Sequence, residues 1–148
     1  MELERKQDLS IYYWLNDLFT SYPMVNINDG YPEGDLVLPS VTIEADAITP
    51  HIRQLGNRTS TRKRFWTIDI IALNKAQRDE LTSIIINDIE YGIPVNDYDE
   101  GFPPEVTPTQ IGLLSIIDWD VRTIRAFPTL VEKMYWRNTI RFISEYNT

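Results

Sequence analysis

The clearest pattern of hydrophobic and polar positions runs from Arg64 to Gly92. Its first part is rich in aromatic and branched side chains, which suit a mostly buried strand better than a helix. Asn74 then stands at an N-cap position, and Gln77 follows three residues later to complete a capping box. Apolar residues recur at three- and four-residue spacings after Asn74, and Gly92 is a signal that ends a helix. The pattern predicts a strand followed by a capped helix. The strand residues are Phe65, Trp66, Ile68, Ile70, Ile71 and Leu73, and the apolar helix positions are Ala76, Leu81, Ile84, Ile85 and Ile89.

A second helix is predicted near the start of the chain, from Leu3 to Phe19, where apolar residues form a stripe among charged ones. Its apolar positions are Leu3, Leu9, Tyr12 or Tyr13, Leu15, Leu18 and Phe19. The segment that follows, 21–34, is dense in turn residues and predicts an irregular stretch or a short hairpin.

Period-two alternation predicts three further strands. One starts at Val41 and pairs with the Phe65 strand as a hairpin with a long tip, a second covers Leu113–Ile124, and the third runs from Met134 to Tyr146. Between them, Asn96–Pro108 has the composition of a loop. The predicted fold class is α+β, with a mainly antiparallel sheet covered by two helices.

Length and composition are consistent with one soluble domain over residues 1–148. The chain has no cysteine, which is compatible with synthesis in a reducing cytoplasm. No signal-peptide pattern and no run of about 20 apolar residues is present. The formal net charge of -8 argues against a surface that coats nucleic acid.

Charge is unevenly distributed along the chain. Residues 48–68, called here the basic segment, contain no acidic residue, whereas residues 87–121 contain no Lys or Arg. The basic residues are His51, Arg53, Arg58, Arg62, Lys63 and Arg64, and the acidic ones are Asp88, Glu90, Asp97, Asp99, Glu100, Glu105, Asp118 and Asp120. Either both stretches are solvated loops, or the basic segment of one copy contacts the acidic residues of the next in a closed ring.

Catalytic patterns are weak in this sequence. The single histidine, His51, lies in the basic segment and is expected to be a solvated residue. Phosphate-binding, dinucleotide and zinc motifs are absent, and residues 97–101 fall short of a calcium loop. Asp118 and Asp120 share a strand face, as a Mg²⁺-dependent nuclease requires, but no nearby Lys or third carboxylate motif accompanies them, which favours an ordinary solvent-facing pair. We predict no catalytic, cofactor or metal site, and keep the nuclease as the alternative of another class.

Nucleic-acid binding through the basic segment is a further alternative, because its arginines adjoin Phe65 and Trp66, which could stack on bases. The acidic total charge opposes nucleic-acid binding that is not sequence-specific. A third possible function is that of a host regulatory or adaptor domain with the same fold.

The strand and helix of Arg64–Glu90 resemble the central segment of small virion proteins of tailed bacteriophages, and most closely the tail terminator, or tail-completion, proteins. Leu38–Glu44, Leu55 with Gly56, and Trp136–Phe142 extend this resemblance over most of the chain from about Leu36 onward. The chain departs from the family pattern in its longer, acidic and proline-containing segment Asn96–Pro108.

This resemblance implies a non-enzymatic α+β subunit, made in the host cytoplasm, that forms a ring, commonly a hexamer. The ring would cap the tail tube protein and join it to a neck or head-completion protein, with DNA passing through it without sequence-specific binding. A neck or head-closure ring is the neighbouring alternative. We expect the contacts with the next subunit or the tail tube to involve Arg53, Arg58, Arg62, Arg64, Asp97, Asp99 and Glu100.

Overall fold

The computed structural model describes residues 1–32, 34, 36–52, 60–124 and 136–148, and their side chains except at positions 47, 49–52 and 60–62. Two helices and six strands are found in these residues. In chain order they are α1 (Leu3–Leu18), β1 (Asn26–Asp29), β2 (Ser40–Ile52), β3 (Ser60–Ala72), α2 (Lys75–Ile89), β4 (Ile93–Asp97), β5 (Thr109–Ile124) and β6 (Trp136–Asn147).

The six strands form one sheet in the order β1-β2-β3-β6-β5-β4 within the described residues. β1 runs parallel to β2, and every other neighbouring pair is antiparallel. The predicted mixed α+β class with a mainly antiparallel sheet is therefore confirmed. β2 and β3 pair as predicted, and residues 53–59, which connect them, lie outside the described part of the chain.

The β3–α2 unit follows its local sequence closely. Asn74 Oδ1 accepts a hydrogen bond from Gln77 N at 2.8 Å, which confirms the predicted cap. Gln77 Oε1 accepts from Leu73 N at 2.9 Å, one residue before the donor expected for a capping box. Leu81, Ile85 and Ile89 are buried as predicted, whereas Leu73, in the turn before α2, and Ala76, in the first turn of α2, are exposed.

One hydrophobic core joins both helices to the sheet. Full burial of an isoleucine or leucine stabilises the folded chain by roughly 1.5–3 kcal/mol, so this cluster is the main source of stability. Its members include Ile11, Trp14 and Leu15 of α1; Leu81, Ile85 and Ile89 of α2; and Val41, Ile43, Trp66, Ile68, Ile70, Ile93, Val95, Leu114, Ile140 and Phe142 of the sheet. In α1, Leu9 and Leu15 are buried as predicted, but Leu3 is exposed.

Helix α1 contacts both edge strands of the sheet. Arg5 Nη1 lies 2.9 Å from Asp29 Oδ2 on β1, and Asn96 N on β4 donates to Ser10 Oγ at 3.0 Å. Because β1 and β4 lie at opposite edges, the sheet must curl for one helix to reach both. The Ser10 hydroxyl thereby satisfies a backbone N–H of an edge strand that has no strand on that side in the described residues.

Two predictions about irregular segments were wrong. Part of 21–34 is the parallel strand β1, held in place by Asn26, whose side-chain amide donates to Val37 O and Pro39 O at 3.2 Å each. The predicted loop also begins too early, because Asn96 and Asp97 belong to β4. In the described residues, no helix is both long and apolar enough to cross a bilayer.

Candidate functional site

The basic segment begins on a two-stranded ribbon. β6 pairs with β3 only from Lys63 onward, whereas β2 and β3 remain paired for three further steps, to Ile52 opposite Ser60. Arg62 lies opposite Pro50 on this ribbon. Arg53 and Arg58 are outside the described residues, as are the side chains of Arg62 and His51. The ribbon therefore leads away from the rest of the sheet toward the predicted contact residues.

Arg64 is buried, with 5% of its surface exposed. Its Nη1 donates to Glu4 O at 3.0 Å and to Gln7 Oε1 at 3.1 Å, and its guanidinium carbon lies 4.2 Å from the centre of the Trp66 ring. A cation in this position over an indole is attracted by the ring quadrupole. Arg64 thus fastens α1 to β3, a role that sequence reasoning missed because it treated all basic residues of the segment alike. Strand alternation was the available signal, since Arg64 shares a face with Trp66.

Asp8 completes the surroundings of Arg64. Its Oδ1 lies 3.2 Å from Arg64 Nη2 but makes no hydrogen bond within the described residues. Burial raises the pKa of the Asp8 carboxyl, and this effect exceeds the opposing attraction of the Arg64 charge. The pair is therefore an ion pair at a helix–strand contact within one chain.

Asp97 and Asp99 lie beside the start of α1. Lys6 Nζ is 3.1 Å from Asp97 Oδ1 and 2.9 Å from Asp99 Oδ2, and the amino group of Met1 is 2.9 Å from Asp99 Oδ1. The hydrogen bond from Lys6, followed by that from the amino group, lowers the pKa of Asp99 to about 2. Glu100 follows Asp99 in the chain and, like Asp99, is exposed. Two of the three predicted acidic contact residues are thus already bound to a cation in the same chain.

The segment Asn96–Pro108, whose first two residues end β4 and which is called here the acidic loop, is anchored by an aromatic residue that sequence reasoning missed. Tyr98 is buried, and its ring centre lies 5.5 Å from that of Tyr13 and 6.0 Å from that of Phe102. These contacts fix the acidic side chains on either side of Tyr98. The aromatic residues inside an acidic stretch were the signal that could have indicated this packing.

Asp118 and Asp120 are both exposed and share a face of β5, opposite Ile143 and Arg141 respectively. Asp120 lies 3.5 Å from Arg122 Nε and 3.8 Å from Arg141 Nε, while Asp118 Oδ1 accepts from Trp119 N at 2.9 Å. Two guanidinium groups therefore balance the charge of Asp120, as in a surface ion-pair network. No group of three or more potential metal ligands occurs in the part of the chain that is described.

No protein-family model and no curated protein sequence matches the chain. The function proposed for it therefore rests on its residues and on their arrangement.

Proposed function

We propose that the chain is a non-enzymatic structural protein of a tailed-phage virion, which forms a ring at the head-proximal end of the tail. In this role it ends the tail tube and joins the tube to the neck. The likeness of Arg64–Glu90 and Trp136–Phe142 to tail terminator proteins supports the proposal. A ring at the neck or head-closure position is the neighbouring form of the same proposal.

The observation that carries the proposal is the separation of opposite charges on one subunit. The β2–β3 ribbon is part of the basic segment, and β6 and β5 separate this ribbon from β4, at whose end the acidic loop begins. A head-to-tail ring needs two different, complementary surfaces at separate places on each subunit. Opposite charges on those surfaces would guide their encounter and select their register.

In the proposed assembly, α1 and α2 cover one face of the sheet. The middle of the basic segment forms a long hairpin tip that reaches the neighbouring subunit. Arg53, Arg58 and Arg62 supply the positive charges. Glu100, together with Asp97 and Asp99, offers negative charge to a neighbour or to the tail tube protein. A neck or head-completion protein binds the other end of the ring, and DNA passes through the centre without sequence-specific contacts.

Charge reversal in the basic segment tests this proposal. The double variant Arg58→Glu, Arg62→Glu should abolish ring formation, because like charges would then face each other across the contact. The molar mass in solution, measured by size-exclusion chromatography with light scattering, should fall to that of one chain while circular dichroism shows an unchanged fold.

Lys75→Glu is the control for a single charge reversal outside the basic segment, since Lys75 is exposed at the start of α2, where a negative charge is favourable. This control should assemble normally. Normal assembly of the Arg58→Glu, Arg62→Glu variant would refute the proposed contact.

A further inference from the structure

Two β-bulges lie on the same row across the sheet. In β2 the register shifts between Ala45 and Ala47, and in β5 it shifts between Ile116 and Asp118, so that Asp46 and Ile117 are the extra residues. The row that connects them consists of Ala47, Phe65, Ile143 and Asp118. Bulges bend a strand and increase its local twist, so we expect the sheet to bend along this row.

A groove of about 340 Å³ follows this row. Phe65 and Ile143 line it and are half-buried, yet they are not members of the hydrophobic core. Strand alternation places them on the face opposite Trp66 and Phe142, which belong to the core. The lining also includes Trp66 and Phe142 of the core and Trp119, which packs against it, so Phe65 and Ile143 are the part of the apolar floor that the core does not use.

Carboxylates surround this apolar floor. Asp46, Asp118 and Asp120 line the groove together with one cation, Arg141. Asp46 accepts a hydrogen bond from the Thr67 hydroxyl, and Asp118 accepts from Trp119 N. Both carboxylates thus bind neutral donors, whereas Asp97 and Asp99 of the acidic loop bind the Lys6 ammonium. Three carboxylates against one guanidinium leave the lining of the groove with a net negative charge.

We propose that this groove binds the basic segment of a second copy of the chain. Its chemistry matches residues 51–58 of that segment, where His51, Arg53 and Arg58 are interspersed with the apolar residues Ile52 and Leu55 and no acidic residue occurs. Apolar side chains would cover Phe65 and Ile143 while the flanking cations meet Asp46 and Asp118. This inference rests on the proposed ring and names the surface that receives the ribbon of the neighbour.

Cysteine cross-linking between two copies tests the proposal directly, because the chain has no native cysteine. One copy carries Asn57→Cys in the basic segment, and a differently tagged copy carries Ile117→Cys beside the groove. Neither substitution changes a charge. After mixing and mild oxidation, a disulfide-linked pair that bears both tags is expected. Phe102→Cys on the acidic loop and Tyr91→Cys after α2 are the comparison positions, and both residues are exposed.

Charge reversal in the groove provides a second measurement. Asp46→Lys with Asp118→Lys should lower the yield of the 57–117 cross-link about tenfold or more, which corresponds to about 1.4 kcal/mol. Asp17→Lys with Glu90→Lys makes the same change in net charge at exposed sites away from the groove and should leave the yield unchanged.

The outcomes separate this inference from the proposed function. Rings that cross-link from position 57 to position 102 and not to position 117 would overturn the groove as the binding surface and leave the proposed ring in place. A wild-type chain that stays monomeric would overturn both the groove proposal and the proposed function.

Discussion

The guanidinium of Arg64 lies between the indole of Trp66 and the first turns of α1, where it binds Glu4 O, Gln7 and Asp8. A buried cation of this kind is stable only because its partners are in place. The residue therefore contributes to the attachment of α1, and through α1 to the contact between the helix and both sheet edges. It is not available to a neighbouring subunit in this conformation.

Arg64→Ala should lower the free energy of unfolding by about 3 kcal/mol, because it leaves Asp8 without its counter-ion and removes packing against Trp66. Urea denaturation followed by tryptophan fluorescence measures the loss. Arg122→Ala, at a side chain that is 62% exposed, is the control and should change stability by less than about 0.5 kcal/mol. Equal effects of the two substitutions would contradict the anchoring role of Arg64.

The ion pairs of Asp99 give a prediction about pH. Because its pKa in the folded chain, about 2, lies below the ordinary value of 3.8, these pairs stabilise the fold fully above about pH 4. Their contribution is lost as the pH falls through 3.8 toward 2. An NMR titration of the Asp99 carboxyl carbon should show a midpoint near 2, and Lys6→Met should move it upward. An Asp99 midpoint near 3.8 in the unsubstituted chain would show that the pairs do not form.

At the scale of single elements, the β3–α2 unit could be predicted from sequence because its signals are local. The cap, the helical spacing and the terminal Gly92 all lie within the unit itself. β1 and β4 could not be predicted, because contacts remote in sequence hold them: Arg5 reaches Asp29, and Ser10 reaches Asn96. The same distinction between local and remote contacts explains which features of the candidate site could be predicted. The ribbon follows from local alternation, whereas the burial of Arg64 and the pairing of Asp97 and Asp99 depend on where α1 packs.

Asn74→Ala should destabilise the chain by about 1 kcal/mol, because the side-chain acceptor for Gln77 N is lost at the start of α2. Urea unfolding of this variant is compared with that of Lys75→Ala, at the adjacent exposed position. We expect little change in the control. A stability loss in Lys75→Ala as large as that in Asn74→Ala would indicate that helix propensity, and not the cap, is being measured.

At the scale of the whole molecule, the sheet is curled so that α1 contacts both of its edge strands, and the ribbon of β2 and β3 extends past β6. The bulges in β2 and β5 lie on one row of the same sheet, next to an acidic groove whose apolar floor includes Phe65 and Ile143. The protruding ribbon and the groove are different surfaces of one subunit. Copies that join head to tail through these two surfaces form either a closed ring or an open filament, depending on the rotation between copies.

Formation of a closed ring is the central claim, and negative-stain electron microscopy of the purified chain, combined with its molar mass from light scattering, tests it most directly. The account predicts closed rings with a central opening and, for a hexamer, the mass of six 17.3 kDa chains. A species with the mass of one chain at every concentration, or open filaments without rings, would contradict it.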